Sequence, residues 1–413
     1  MSDAESLGLF DAFGIELEYM IVDAQSLDVL PACDRLLASH AGDVVAEVEF
    51  DDLSWSNELT LHVVELKVSR PRPTLRGLAS EFASHIRTLN RLAQPLGARL
   101  LPTASHPWMD PRSEMRLWPH AYNPVYEAFN RIFDCRGHGW ANLQSMHINL
   151  PFRGDDEFGR LHAAVRLVLP LLPALAASSP FRDGLATGRL DNRLDAYRAH
   201  SARIPSVAGR VIPEPVFHID AYHESILNRL YRDLEPHDPD GVLRDEFANA
   251  RGAIARFQRN AIEVRVIDVQ ECPAMDLAIA TLTVETLRAL VEERWCSYED
   301  QRRWGVDPLA SLFERAIGDA ELTPIQTDGL PAAFGAPTAR TLGELWRSVA
   351  ADLTHARPEA FAEHQGALDL LFQRGTLARR ILAATGPSPD RAALRRVYAR
   401  LADALESNTP FTP

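Results

Sequence analysis

The chain of 413 residues has only four cysteines, Cys33, Cys135, Cys272 and Cys296, with no CxxC spacing among them. That excludes the usual zinc and redox pairs, and scattered thiols of this kind are expected to be free in a reducing cytosol. Dense basic runs are also missing: 57 Asp and Glu stand against 43 Lys and Arg, a formal charge of -14. Such a surface repels phosphate backbones and anionic lipid, so neither nucleic acid nor membrane is an expected partner. No apolar run reaches the roughly 20 clean residues of a bilayer span. Leu161–Ala177 comes nearest, but His162, Arg166, Pro170 and Pro173 interrupt it, and it reads as a buried helix. Met1–Leu9 carries acidic residues where an export signal has a basic patch and an apolar core. No internal repeat, low-complexity tract or Gly/Ser linker divides the chain. What is present, 46% hydrophobic and 24% charged residues, suits a packed cytoplasmic protein acting on small molecules, with homo-oligomer formation left open.

Residues 12–23 and 59–69 alternate polar and apolar positions in the strand manner, as do 98–105, 144–151 and 260–269. The acidic stretch 43–52 predicts a short strand and turn. Helical spacing covers 75–96, 156–177 and 276–293, and past Pro337 it covers 342–354, 359–384 and 389–406. Strands early and helices late predict an α+β fold built on an antiparallel sheet. Residues 1–336 read as the catalytic domain and 337–413 as a helical extension packed on the same unit. The aromatic segment Trp108–Tyr126 is too long for a simple connector.

Glu16 and Glu18, two apart on a strand, project from one face. Glu65 shares a face with Lys67 on the next clear strand, whereas Glu58, seven residues earlier, has to come from a strand end, loop or bulge. His147 shares its face with Ser145 and Asn149, and Glu263 shares one with Arg265. Each of these alone is ordinary: an edge strand, a structural histidine or an internal ion pair. Together, up to five carboxylates and one imidazole suit a hard divalent cation, Mg2+ or Mn2+. Magnesium in turn implies a nucleotide. With no phosphate-loop lysine motif and no dinucleotide glycine fingerprint, metal and arginines would have to hold its phosphates. Arg193, Arg198, Arg203 and Arg210 in the irregular stretch, with Arg259 and Arg265, are the candidates, and that stretch is expected to border the metal cavity with Arg193 and Arg203 on a phosphate or the substrate carboxylate.

In order and spacing these motifs resemble the glutamate-cysteine ligase family of carboxylate-amine ligases. The resemblance rests on Gly14-Ile15-Glu16-Leu17-Glu18, a Glu58 to Glu65 segment, Met146-His147-Ile148-Asn149, Ala177-Ser178-Ser179-Pro180-Phe181, Ile262-Glu263-Val264-Arg265 and Asp268-Val269-Gln270. It implies a glutamine-synthetase-like antiparallel sheet bent into a half-barrel and flanked by helices. It further implies an ATP-dependent ligase that makes an amide, γ-glutamyl in the family's case, through an acyl phosphate. Glu16, His147 and Glu263 would hold one ion and Glu18, Glu58 and Glu65 another. Glu263, Arg265 and Arg193 would be catalytic, and Arg193, Arg203, Arg259, Arg265 and Asn149 would bind ATP or substrate. The chain departs from better-known members at Leu190-Asp191-Asn192-Arg193-Leu194 and in having only one histidine, His147, on its strand, both where substrates would lie, so the acid and the amine stay open. The competing readings are guanidino-kinase-type phosphoryl transfer and an inactive binding protein that keeps the fold.

Overall fold

The computed structural model describes residues 7–386 and 388–413; residues 1–6, most of the segment read above as lacking an export signal, lie outside them. In chain order the strands are β1 (Gly14–Asp23), β2 (Glu47–Glu49), β3 (Leu53–Asn57), β4 (Val63–Val68), β5 (Ala98–Leu101), β6 (Ser145–Pro151), β7 (Phe181–Arg182), β8 (Leu185–Ala186), β9 (Ala253–Arg256) and β10 (Ala261–Asp268). β7 and β8 make a small ribbon. The others form one antiparallel sheet in the order β2-β3-β4-β1-β6-β10-β9, with β5 on the far end of β1. β2 and β9 end the path without meeting, so the sheet is open rather than a closed barrel.

β1 is the hub because its first half pairs with β4 on one side and β6 on the other. Its odd positions, Ile15, Leu17 and Tyr19, are buried with Leu66, Met146, Ile148 and Ile262 in the main hydrophobic core. Two-residue alternation then sends Glu16 and Glu18 to the opposite face. The helix layer supplies matching apolar stripes. Leu78–Ala93 buries Leu78, Phe82, Ile86, Leu89 and Ala93 at helical spacing. Pro273–Val291 is buried nearly all round because it lies against both Leu78–Ala93 and Gly154–Val168.

Two expected helices are divided. The segment 156–177 is helical over Gly154–Val168, passes through a tight turn at Leu169–Leu171, and resumes at Pro173–Ala176. Pro170 and Pro173 each lack an amide donor and crowd the preceding turn. The segment 359–384 becomes Pro358–Phe361, Gln365–Arg374 and Leu377–Thr385, with Gly375 at φ 80° ending the second. The last helix, Arg391–Ser407, starts at Asp390, whose carboxylate accepts from Ala393 N at 2.7 Å, and packs on Leu78–Ala93 and β5.

Candidate active site

The polar face of the sheet collects the charged side chains. Register places Glu16 between Lys67 and His147, Glu18 opposite Glu65, and Glu263 opposite Asn149. Opposed residues on one face stand close, and like charges there are destabilising, so the Glu18–Glu65 pair marks a place for a cation. Gly14 opens the motif for a steric reason. It faces Asn149, and a Cβ at Gly14 would lie 2.9 Å from the Asn149 Cβ. Without that Cβ, Asn149 Nδ2 reaches Glu16 Oε1 at 2.9 Å.

His147 sits at the centre. Its Nδ1 lies 2.9 Å from Glu16 Oε2 and 3.8 Å from Glu263 Oε1, and its Nε2 lies 3.8 Å from Glu18 Oε1. Nε2 is also 2.9 Å from Ser145 Oγ, and that hydroxyl donates to Glu18 Oε2 at 3.0 Å. Ser145 has one hydroxyl proton, so Nε2 must donate to it, and Nδ1 donates to Glu16; the ring is an imidazolium. Burial alone would lower the His147 pKa, but the hydrogen bond to Glu16 and the charges of Glu18, Glu16 and Glu263 raise it to about 9. In return, burial pushes Glu16 up, and the hydrogen bond from His147 together with the charges of His147 and Lys67 outweighs it, leaving Glu16 below its ordinary value. Glu263 is likewise pushed up by burial yet held low by Arg265, His147 and Arg256. Glu58, just past β3, is raised to about 8 by burial and the charges of Glu65 and Glu18, against which the charge of His147 and a hydrogen bond from Leu59 N count for less.

Two sets of donors, Glu16 with His147 and Glu263, and Glu18 with Glu65 and His147, have ligand atoms within 4.8 Å of one another. Ligands on opposite sides of a divalent ion at about 2.0–2.6 Å stand roughly 4–5 Å apart, so the spacing and the oxygen-rich donor set fit Mg2+ or Mn2+. Glu58 belongs to neither set.

A cavity of about 990 Å³ runs along this face from Glu47 on β2 to Arg265 on β10, so the open sheet wraps around it. Arg256, Arg259, Arg265 and Lys67 bring positive charge to its wall. Arg256 Nη1 donates to Glu263 Oε2 at 3.1 Å, Arg265 Nε lies 3.1 Å from Glu263 Oε1, and Lys67 Nζ donates to Glu65 Oε2 at 3.0 Å. Sequence reading passes over Arg256, because β9 is short and shows no alternation. It places Lys67 on the right face without giving it a role.

Arg203 lies elsewhere, and Arg193 meets the cluster from a second cavity rather than from this one. Arg203 borders neither this cavity nor a second one described below; its guanidinium donates to the carbonyls of Ile132 and Arg131, at 2.7 and 3.4 Å. Arg193, with a side chain 2% exposed, donates to Asp268 Oδ1 at 3.3 Å and to the Arg265 carbonyl at 2.8 Å. A bulge between Val264 and Ile267 shifts the parity of β10, so Asp268 shares the polar face with Ser145. There Asp268 Oδ2 accepts from Ser178 N and Ser179 Oγ, at 2.9 and 3.2 Å. Gln270 Nε2 donates to the carbonyls of Ala176 and Asp268, each at 2.7 Å. The Ser-Ser-Pro-Phe and Asp-Val-Gln motifs thus brace the bulge that aims Arg265. The other arginines of the irregular stretch pair with acidic side chains: Arg182, Arg189 and Arg198 with Asp195, and Arg210 with Asp307.

The profile of glutamate-cysteine ligase family 2 matches residues 12–400. An Archaeoglobus fulgidus protein without a functional name is 34% identical over 280 residues, 68% of this chain and 75% of that one. A Corynebacterium glutamicum protein provisionally named glutamate–cysteine ligase 2 is 29% identical over 190 residues, spanning 45% of this chain and only 46% of that relative. The solved glutamate–cysteine ligase of Francisella tularensis, in complex with AMP, superposes with a TM-score of 0.62 over 97% of this chain and 90% of its own; at 12% identity this likeness establishes the fold. The expected ligase-type antiparallel fold is therefore present, and with a family profile running through nearly its whole length the chain belongs to glutamate-cysteine ligase family 2.

Proposed function

We propose that the protein is a cytoplasmic, magnesium-dependent enzyme that uses ATP to join a carboxylate to an amine. The observation that carries this reading is the convergence of Glu16, Glu18, Glu65, Glu263 and His147 on one sheet face, beside a cation-studded cavity large enough for a nucleoside triphosphate. Family membership supports it, as does the AMP held by a protein of the same fold. All four cysteines are free, and no helix among the described residues is long and apolar enough to cross a membrane.

Mg2+ or Mn2+ held by Glu16, Glu263 and His147, and by Glu18 and Glu65, would neutralise charge on the transferring phosphoryl group. The chain's own cations do the rest. Arg256, Arg259, Arg265 and Lys67 orient the phosphates from the cavity wall, and Arg265 is aimed by the braced bulge of β10. An oxygen of the acid attacks the γ-phosphorus, the bond to the β-phosphate oxygen breaks, and ADP leaves. The amine nitrogen then attacks the acyl carbon, and inorganic phosphate departs with the former carboxylate oxygen. Asn149 holds Glu16 in place through its side-chain amide.

The test is a screen of carboxylic acids with Mg–ATP and hydroxylamine, which traps acyl phosphates whatever the natural amine. Equimolar ADP, phosphate and hydroxamate are expected, with loss of all three on chelation. A stable phosphorylated product without free phosphate would favour the kinase reading, and no turnover with any acid would favour an inactive binding protein.

A further inference from the structure

A second cavity, of about 420 Å³, reaches the same cluster and shares Glu58, Tyr122, Tyr126, His147 and Arg265 with the first. Its character is different. Away from the cluster its walls are mainly Val125, Phe129, Trp140, Leu143 and Phe247, flat and branched apolar groups, with Thr60, Tyr197 and His200 among them. The aromatic segment singled out in the sequence finds its place here: Tyr122 stands at the rim, 64% exposed and at φ 70°, a conformation costly for an aromatic residue. Where the lining meets the cluster, the guanidiniums of Arg193 and Arg265 supply positive charge. The Arg193 Nε is buried and has no hydrogen-bond partner.

Resting on the ligase reading above, we infer that this cavity binds the carboxylic acid substrate, and that this acid carries an aryl or similarly bulky apolar body rather than the charged body of glutamate. The size agrees: a dry cavity of roughly 150 Å³ takes a benzene ring, so about 420 Å³ holds a ring with a short carboxylate-bearing chain. The orientation agrees as well. The acid's carboxylate has to meet the γ-phosphate at the cluster, where Arg193 and Arg265 offset its charge, while its body stays out of water among Phe129, Trp140 and Phe247. The α-amino group and second carboxylate of glutamate would lie against a lining that is mostly apolar, whereas an aryl body matches it.

The experiment compares 3-phenylpropanoate and indole-3-acetate with glutamate and aspartate as acids, each with Mg–ATP and hydroxylamine. Direct titration calorimetry of the same acids, without nucleotide, gives a second readout. The aryl acids are expected to bind and to form hydroxamate with kcat/KM at least tenfold above glutamate. Leu143→Trp and Val125→Trp, which fill the cavity, should raise the KM for the aryl acids at least tenfold, with the Kd for Mg–ATP measured separately to report on folding. Glutamate outpacing both aryl acids would overturn the inference while leaving the ligase reading in place. Use of aryl compounds only as amines, such as phenethylamine with glutamate, would also overturn it. Hydroxamate from none of these four acids, with neither aryl acid bound in the calorimeter, would overturn this inference, while the ligase reading falls only if the wider acid screen also fails.

Discussion

His147 binds a proton on each ring nitrogen in the metal-free protein, because Ser145 can only accept from it and Glu16 holds the other side. A metal ligand has to be a neutral imidazole, so an ion entering either donor set displaces a proton. With the His147 pKa raised to about 9, Mg2+ affinity should rise as pH increases from 6.5 to 9. Binding at pH 7.5 should release about one proton. Calorimetry in buffers of different ionisation enthalpy reads both, and a pH-independent affinity with no proton release would remove His147 from the ligands. Glu263 is bound to Arg256 and Arg265 and lies near His147. Glu263→Gln keeps the shape and removes one charge from a crowded acidic cluster, so the fold should persist. ATP turnover should fall on the order of 100-fold or more, the scale of lost metal-site groups; turnover within a few-fold of wild type, at an unchanged melting temperature, would exclude a role for Glu263.

At the scale of the element, β10 and its neighbours decide where the site's cation points. Arg265 N donates to the Gly252 carbonyl at 2.9 Å, tying the bulge to the approach of β9. A Cβ at Gly252 would lie 2.8 Å from the Val266 Cγ1 and 3.0 Å from the Val211 Cγ1. Gly252→Ala should therefore destabilise by about 1–3 kcal/mol, the usual cost of overpacking, read as a lower denaturant midpoint; an unchanged midpoint would mean that the bulge yields freely. Strand parity makes Glu16, Glu18, Glu65, His147 and Glu263 legible in the amino-acid sequence, because those strands bury one face and charge the other. Parity does not supply β3, Leu53–Asn57, all of whose residues are buried although three are polar. Nor does it show that Arg193 is tied to Asp268, since Asp268 reaches the same face only through the bulge. Glu58 is expected off a regular strand, and it follows the last residue of β3.

The whole molecule carries a second set of histidines, remote in role from the cluster. His62 and His106 are buried, each donating from Nε2 to a carbonyl, that of Ala141 or Leu27. Nδ1 of His106 accepts from Trp108 N, leaving no place for a second proton. Burial depresses both pKa values to about 4 and that of His162 to about 3. Between pH 6.5 and 4 the unfolded chain thus binds protons that the folded one refuses, and stability rises with pH. Their contribution is complete above 6.5 and is lost as pH falls through this window, by about 3 kcal/mol each for His62 and His106 at one pKa unit per 1.36 kcal/mol. Urea midpoints should drop steeply from pH 7 to 4.5. A flat profile would show that these imidazoles are not buried neutral.

The reaction itself is tested most directly by following oxygen. With the best acid from the hydroxylamine screen, labelled with 18O in its carboxylate, Mg–ATP and hydroxylamine, the released inorganic phosphate should carry one 18O, because an acid oxygen bonds to the γ-phosphorus before the amide forms. Mass analysis of the phosphate decides it: unlabelled phosphate alongside ADP would mean that water attacks the nucleotide, and would contradict ligation through an acyl phosphate.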